Sequence, residues 1–181
     1  MAIQKIALSS LITLHLTHVT GRKSAVQLLV SACPRLADLT LEAYEKLTNL
    51  AVLGTRLRRL ALRCCHDLSA IVADSSELRD FEYRGTVPGP SFLTLRGGGV
   101  AMKISSCKLD FCGAEATDLP ELARLRDFLL LFSGVKSQQL TSARLGCGDG
   151  LAFPAFLALC HLELMGMLPE DDTATVVTTM A

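Results

Sequence analysis

Cys33–Leu68, CPRLADLTLEAYEKLTNLAVLGTRLRRLALRCCHDL, says the same thing twice. Leu36, Leu39 and Leu41 return 21 residues later as Leu57, Leu60 and Leu62, each set in the frame L-x-x-L-x-L. The last two leucines of each frame are two residues apart, so on a strand they point to one face. One such strand cannot bury its leucines alone, but neighbouring copies laid side by side make a continuous core. After each frame comes a second apolar set: Leu47, Leu50 and Val52, then Leu68, Ile71 and Ala73. These lie too close to the next frame for a long helix, so they read as short extended returns along the opposite side.

The frame continues outward in both directions. Leu11, Leu14 and Leu16 precede it, and Leu78, Phe81 and Tyr83 follow. The middle positions 14, 39, 60 and 81 are 25, 21 and 21 residues apart. That matches the period of roughly 20–29 residues expected of a leucine-rich repeat. Leu159, Leu162 and Leu164 form a later copy, and Val135, Gln138 and Leu140 a degraded one. Between 86 and 135 the pattern does not set the register, although Ile104–Phe111 reads as a strand with Leu109 and Phe111 inward. The fold class is therefore α/β: a leucine-rich-repeat solenoid with a parallel concave β-sheet and a convex side of short strands and helices. Residues 1–181 are read as one such domain.

Helical returns are predicted at Ser24–Ala32 and Leu119–Phe132, the second with Asp118 as N-cap and Pro120 just inside the start. Arg84–Gly99 holds two prolines and five glycines, and reads as an irregular loop around a short apolar insert, Phe92–Leu95. Pro169–Ala181, acidic and then Thr-rich, reads as a frayed tail or the opening of a further element. No polar cap is evident before Leu11 or after Leu164, so this stretch in isolation is expected to be marginal or aggregation-prone.

Hydrophobic residues make up 50% of the 181 residues, while aromatics are 5% and tryptophan is absent. The core is expected to be mainly Leu, Ala and Val. Eighteen basic and eighteen acidic residues cancel. Nothing in that balance favours nucleic acid or an anionic membrane as a partner. Seven cysteines without framework spacing read as reduced, buried small hydrophobes, which places the chain in the cytoplasm or nucleus. The apolar stretch Leu151–Leu168 is broken by Pro154, His161 and Glu163 and is a poor membrane span. Ile6–Leu16 after Lys5 is a poor signal peptide, because Thr13 and His15 interrupt it and no clear cleavage pattern follows.

Residues beside the inward leucines face the concave side. They are Thr13, His15 and Thr17, then Asp38, Thr40 and Glu42, then Arg59, Ala61 and Arg63, then Asp80, Glu82 and Arg84, with His161 and Glu163 on the last frame. Stacking puts Asp38, Arg59 and Asp80 in one row and Glu42, Arg63 and Arg84 in another. Of these, His15, Asp38, Thr40, Glu42, Arg59, Arg63, Asp80, Glu82, Arg84, His161 and Glu163 are the candidate partner-binding residues. The competing reading is a set of cross-strand ion pairs that keep a sheet face soluble, each worth about 0.2–1 kcal/mol.

No catalytic, metal or cofactor set emerges. Cys64 and Cys65 are adjacent, so on a strand they diverge, and the four-ligand spacing of zinc is missing around Cys64-Cys65-His66. Cys65 instead fits the buried position after Leu62, with His66 in the turn. Cys107 and Cys112 have no matching second pair, and His15 and His18 face opposite sides of a strand. No G-x-S-x-G elbow gives geometry to scattered Ser, His and Asp. Gly97–Gly99 and the Gly146, Gly148, Gly150 run fit turns better than phosphate loops.

The stretches CPRLADLTLEAY (Cys33–Tyr44), RLRRLALRCCHDL (Arg56–Leu68), SELRDFEYRGTVP (Ser76–Pro88), SCKLDFCG (Ser106–Gly113), FSGVKSQQLTSARLG (Phe132–Gly146) and HLELMGMLPEDD (His161–Asp172) together resemble the leucine-rich-repeat region of plant F-box proteins. The likeness is greatest to the cereal group that also carries an FBD-type C-terminal domain. It spans most of the chain from residue 33 onward. It implies a non-enzymatic protein-interaction module that recognises substrates for an SCF-type ubiquitin ligase. No F-box and no complete C-terminal domain is recognised in these residues. A Skp1-like adaptor is therefore an expected partner only of a protein that includes an F-box, and adaptor binding is carried to no residue here. The alternative is an F-box-less structural or regulatory repeat protein.

Overall fold

The computed structural model describes residues 8–19, 23–74, 76–97, 103–112, 119–142, 154–167 and 173–179. The chain runs β1 (Thr13–Thr17), α1 (Lys23–Ser31), β2 (Asp38–Glu42), β3 (Asn49–Val52), β4 (Arg59–Arg63), β5 (Ala70–Asp74), β6 (Asp80–Gly85), β7 (Leu93–Arg96), β8 (Ser106–Phe111), α2 (Leu119–Leu130), β9 (Ser137–Ser142), β10 (His161–Met167) and β11 (Thr173–Thr179). Eight strands form one sheet in the order β1-β2-β4-β6-β8-β9-β10-β11, and β3-β5-β7 form a second. All pairs are parallel except β10–β11.

The repeat frame explains the large sheet. Leu39, Leu60, Phe81, Cys107 and Gln138 stand side by side on adjacent strands, and so do Leu41, Leu62, Tyr83, Leu109 and Leu140. All ten are buried. The first frame position also sits inside, as Leu36, Leu57, Leu78, Ile104 and Val135. The fifth copy is thus Ile104, Cys107 and Leu109. Middle positions 81, 107 and 138 are 26 and 31 residues apart, longer steps than before, and a cysteine and a glutamine stand in for leucine. Both features hid the register from the pattern.

The second sheet is built from the alternate apolar sets. Leu50, Ile71 and Leu93 align, as do Val52, Ala73 and Leu95. The Arg84–Gly99 stretch is therefore no interruption. β6 runs on to Gly85, and Leu93–Arg96 forms the third return strand. Pro88, Gly89 and Pro90 set the turn between them, which closes with the Phe92 amide donating to the Gly89 carbonyl at 3.1 Å. At Gly85 a Cβ would lie 2.7 Å from the Tyr83 hydroxyl, which donates to the Thr86 carbonyl at 2.6 Å. The missing side chain makes room for that ring. Thr173–Thr179, read as frayed or as opening a further element, is a strand paired with β10. Its run of Thr and Val favours an extended backbone.

The two helices form where predicted. Val26 and Val30, one turn apart, bury the inner side of α1. Leu122, Leu125, Phe128 and Leu129 do so for α2, while Asp118 lies outside the described residues. Nine residues make a marginal helix in isolation, so packing holds α1 in place. It is also tied to β3, where the Gln27 carboxamide accepts from the Ala51 amide at 2.9 Å and donates to the Ala51 carbonyl at 2.8 Å. One side chain so answers a peptide group on the outer edge of the small sheet.

The core is more aromatic than composition foretold. Phe81 stacks on Phe132 at 5.1 Å between ring centres, and Phe128 meets Phe132, Tyr83, Phe92 and Phe111 edge-on. Rings gather where α2 replaces a return strand, because a helix axis stands about 10 Å from its neighbours and leaves more volume to fill than a strand at about 4.8 Å.

Strand ends are stitched by a backbone ladder. The amides of Ala37, Arg58, Arg79, Ser105, Lys136 and Cys160, just before β2, β4, β6, β8, β9 and β10, each donate to the preceding repeat, at 2.7–3.0 Å. At the far ends His18, Ala43 and Cys64 take φ of 52°, 49° and 53° and donate forward to Glu42, Arg63 and Arg84. Left-handed φ costs an L-residue about 1–2 kcal/mol. Ala43→Gly is therefore expected to raise the unfolding free energy in urea by about 0.5–1 kcal/mol, the gain being reduced by the extra freedom of glycine in the unfolded chain. Gln27→Leu is expected to lower it by about 1–3 kcal/mol, because it leaves the Ala51 N–H and C=O unanswered.

Candidate functional site: the polar face of the eight-stranded sheet

Each strand of the large sheet turns alternate side chains away from the core. β1 presents Thr13, His15 and Thr17; β2 presents Asp38, Thr40 and Glu42; β4 presents Arg59, Ala61 and Arg63; β6 presents Asp80, Glu82 and Arg84. The register places Asp38 beside Arg59 and Arg59 beside Asp80, and likewise Glu42 beside Arg63 and Arg63 beside Arg84. Nine of the eleven candidate residues therefore lie on four contiguous strands. His161 and Glu163 are on β10, which β8 and β9 separate from β6. Three strand spacings put them about 14 Å from that strand.

The charges meet on diagonals as well as along rows. Glu82 receives Arg63 Nε at 2.7 Å and Arg59 Nη2 at 3.1 Å, although its direct neighbours in register are Ala61 and Lys108. Arg63 also reaches Glu42 at 3.6 Å, and His15 Nε2 lies 3.7 Å from Glu42. A chain of five groups thus links β1, β2, β4 and β6. It arches over Ala61, which is fully covered. A one-carbon side chain between two arginines leaves space for both guanidinium groups to lean toward the next strand.

Lys108 and Asp110 on β8 belong to the same face and were missed, since the register there was unset. Arg84 Nε pairs with Asp110 at 3.2 Å. Glu42, Arg63, Glu82, Arg84, Lys108 and Asp110 line a cleft of about 250 Å³. Asp38 accepts a hydrogen bond from Thr13 at 3.4 Å. Among the described residues, Asp38, Asp80, Lys108, His161 and Glu163 form no ion pair. β9 adds the uncharged Ser137, Gln139 and Thr141. The face is thus an ion-paired block on β1, β2, β4, β6 and β8 next to the uncharged strand β9.

Glu82 is the electrostatic centre. Burial alone raises its carboxyl pKa, but the hydrogen bonds from Arg63 and Arg59 outweigh that and hold it below the usual range. The same hydrogen bond raises Arg63. The cysteines offer no comparable chemistry. Burial pushes the thiols of Cys33, Cys65 and Cys107 up, so they stay protonated and pack as small apolar groups. Cys65 fills the buried position, Cys64 sits in the left-handed turn and His66 is exposed in the next turn. Among the described residues, no group of three or more His, Cys, Asp or Glu side chains is placed to hold a metal ion. Within the same residues, no helix is long and apolar enough to cross a membrane.

A carboxyl held below its unfolded value stabilises the fold above the unfolded pKa of about 4.3, and that contribution is lost as pH falls through the lower folded value. Glu82→Gln is expected to cost about 1–3 kcal/mol in urea unfolding at pH 7. The gap to the parent protein should begin to narrow as pH falls through about 4.3 and close only below the lower folded value, where both carry a neutral group.

Residues 2–144 match the family model described as At1g61320/AtMIF1, LRR domain. No curated protein and no solved structure matches the chain. The matched span takes in β1 to β9, hence every stacked layer from Leu14 to Gln138 and the whole ion-paired block. The chain belongs to the At1g61320/AtMIF1 leucine-rich-repeat domain family.

Proposed function

We propose that the polar face of the eight-stranded sheet recognises a protein partner, and that it does so as the substrate-recognition region of an F-box-type SCF ubiquitin ligase receptor. The family is one of interaction modules, and that supports protein binding. The single observation that carries the reading is the register. It brings charged and hydrogen-bonding side chains from seven strands onto one face whose backbone is already satisfied within the sheet. Such a surface offers side chains alone, the usual currency of solenoid recognition. Asp38, Asp80, Lys108, His161 and Glu163, which lack internal ion pairs, are the groups left for a partner. Reduced cysteines fit a cytoplasmic or nuclear setting. The ligase assignment rests on the sequence resemblance.

One observation favours a second reading. Glu82 spends its charge on Arg59 and Arg63, so much of the electrostatic potential is cancelled within the chain. A structural or regulatory repeat protein without an F-box fits that self-sufficiency.

Partners of the complete gene product can be identified by in-cell cross-linking, and the direct complex rebuilt from purified components. The double variant Asp80→Lys, Lys108→Glu should weaken that complex at least tenfold, about 1.4 kcal/mol. Thr94→Glu on the opposite sheet should leave it unchanged. Equal loss from Thr94→Glu, or none from the double variant, rejects the polar face. A product that binds its partner but neither a Skp1-like adaptor nor ubiquitin-ligase components rejects the ligase role alone.

A further inference from the structure

Two exposed charges on the polar face, Asp80 on β6 and Lys108 on β8, make no side-chain hydrogen bond or ion pair among the described residues. Each has a neighbour of opposite sign in register: Asp80 stands beside Arg59, and Lys108 beside Glu82. The same contact deprives both of that neighbour. Arg59 leans away to Glu82, where Arg63 also ends. One carboxylate thus takes two cations and leaves a carboxylate on one side and an ammonium on the other unanswered. Since Asp80 pairs in register with Ser106, Lys108 lies one strand across and two residues along, about 8 Å away between backbones. Lys108 also borders the cleft of about 250 Å³. The carboxylates of that cleft already have cations: Arg63 meets Glu42 and Glu82, and Arg84 meets Asp110. Arg84 spends its Nε there, which leaves the terminal N–H groups of its fork for another acceptor. The cleft is smaller than the roughly 300–1,000 Å³ of a drug-sized ligand's pocket and suits a single side chain.

We infer, on the footing that the polar face binds a protein, that the partner presents an extended segment with a basic and an acidic residue two positions apart. The basic side chain meets Asp80, and the acidic one enters the cleft to meet Lys108 and Arg84. Opposite signs follow from the unanswered pair, which a matching pair on the partner complements. The spacing follows from strand geometry. Residues two apart on an extended chain point to one side and stand about 6.6 Å from each other, and long charged side chains span the remainder. Residues two apart on a helix do not face one surface, so a helix cannot present the pair at that spacing. Direction along the chain is free, because a reversed segment with the two charges exchanged meets the same two groups.

The test uses the immobilised full chain, its single variants Asp80→Lys and Lys108→Glu, and a phage-displayed library of random peptides. The parent is expected to enrich a basic and an acidic residue two positions apart, in either order, at least tenfold over the unselected library. Asp80→Lys leaves two cations and should instead enrich two acidic residues at that spacing. Lys108→Glu leaves two carboxylates and should enrich two basic ones. A newly gained preference cannot come from misfolding, and the parent's own enrichment decides the matter should a variant not fold. Enrichment by the parent of pairs three or four apart would mark a helical partner and overturn the inference. Binders without a spaced pair, the same pair selected by parent and variants, or no binders at all would overturn it too. If Asp80→Lys, Lys108→Glu spares the complex with the cellular partner, the polar face itself is rejected. If it breaks that complex while the library shows no spaced pair, the extended segment alone is rejected.

Discussion

Everything in this molecule depends on the lateral stacking of two inward side chains per strand. Leu39 on Leu60 on Phe81, with Leu41 on Leu62 on Tyr83, removes from water the area that no single strand could hide. At roughly 25 cal/mol per Å² of apolar surface, a fully buried leucine contributes about 1.5–3 kcal/mol. The hydrogen-bond ladder before each strand then fixes how one repeat sits on the last. The polar face is a by-product of the same alternation: once residues two apart face the core, those between them must face outward.

The parts legible from sequence were those where period and chemistry agreed. L-x-x-L-x-L placed β2, β4 and β6, and the rows Asp38–Arg59–Asp80 and Glu42–Arg63–Arg84 followed from the spacing. The short returns at Leu50–Val52 and Ile71–Ala73 were equally plain, since too few residues remained for a helix. Legibility failed where a repeat lengthened or its leucine was replaced. Ile104, Cys107 and Leu109 keep the frame, but the preceding turn with Pro88 and Pro90 masked it, and Lys108 and Asp110 were lost with it. The aromatic cluster around Phe128 could not be seen either, because its members come from five separate elements or turns and meet only in three dimensions.

Charge on the polar face obeys reach more than register. Side chains directly opposite on parallel strands are neighbours, yet Arg59 and Arg63 both turn to Glu82, a carboxylate between them on the next strand. A long flexible cation finds the best-buried acceptor within its radius, and Glu82, with its side chain 15% exposed, is that acceptor. Ala61 makes the arrangement sterically possible. Rows deduced from spacing therefore fix position and only part of the pairing: Glu42 and Arg63 pair along a row, while Arg59 and Arg63 both reach Glu82 across one.

From β1 to β10, the order of strands in the large sheet is their order along the chain, with β3, β5 and β7 diverted to the small sheet. Every lateral contact thus joins segments about one repeat apart. Loop-closure entropy stays small at each step, so assembly can begin in any adjacent pair and spread outward like a zipper. The ring cluster under β6 and β8 is one such place to begin. The same locality lets terminal layers open while the centre persists, so amide hydrogen exchange should grade from the middle outward instead of collapsing at one free energy.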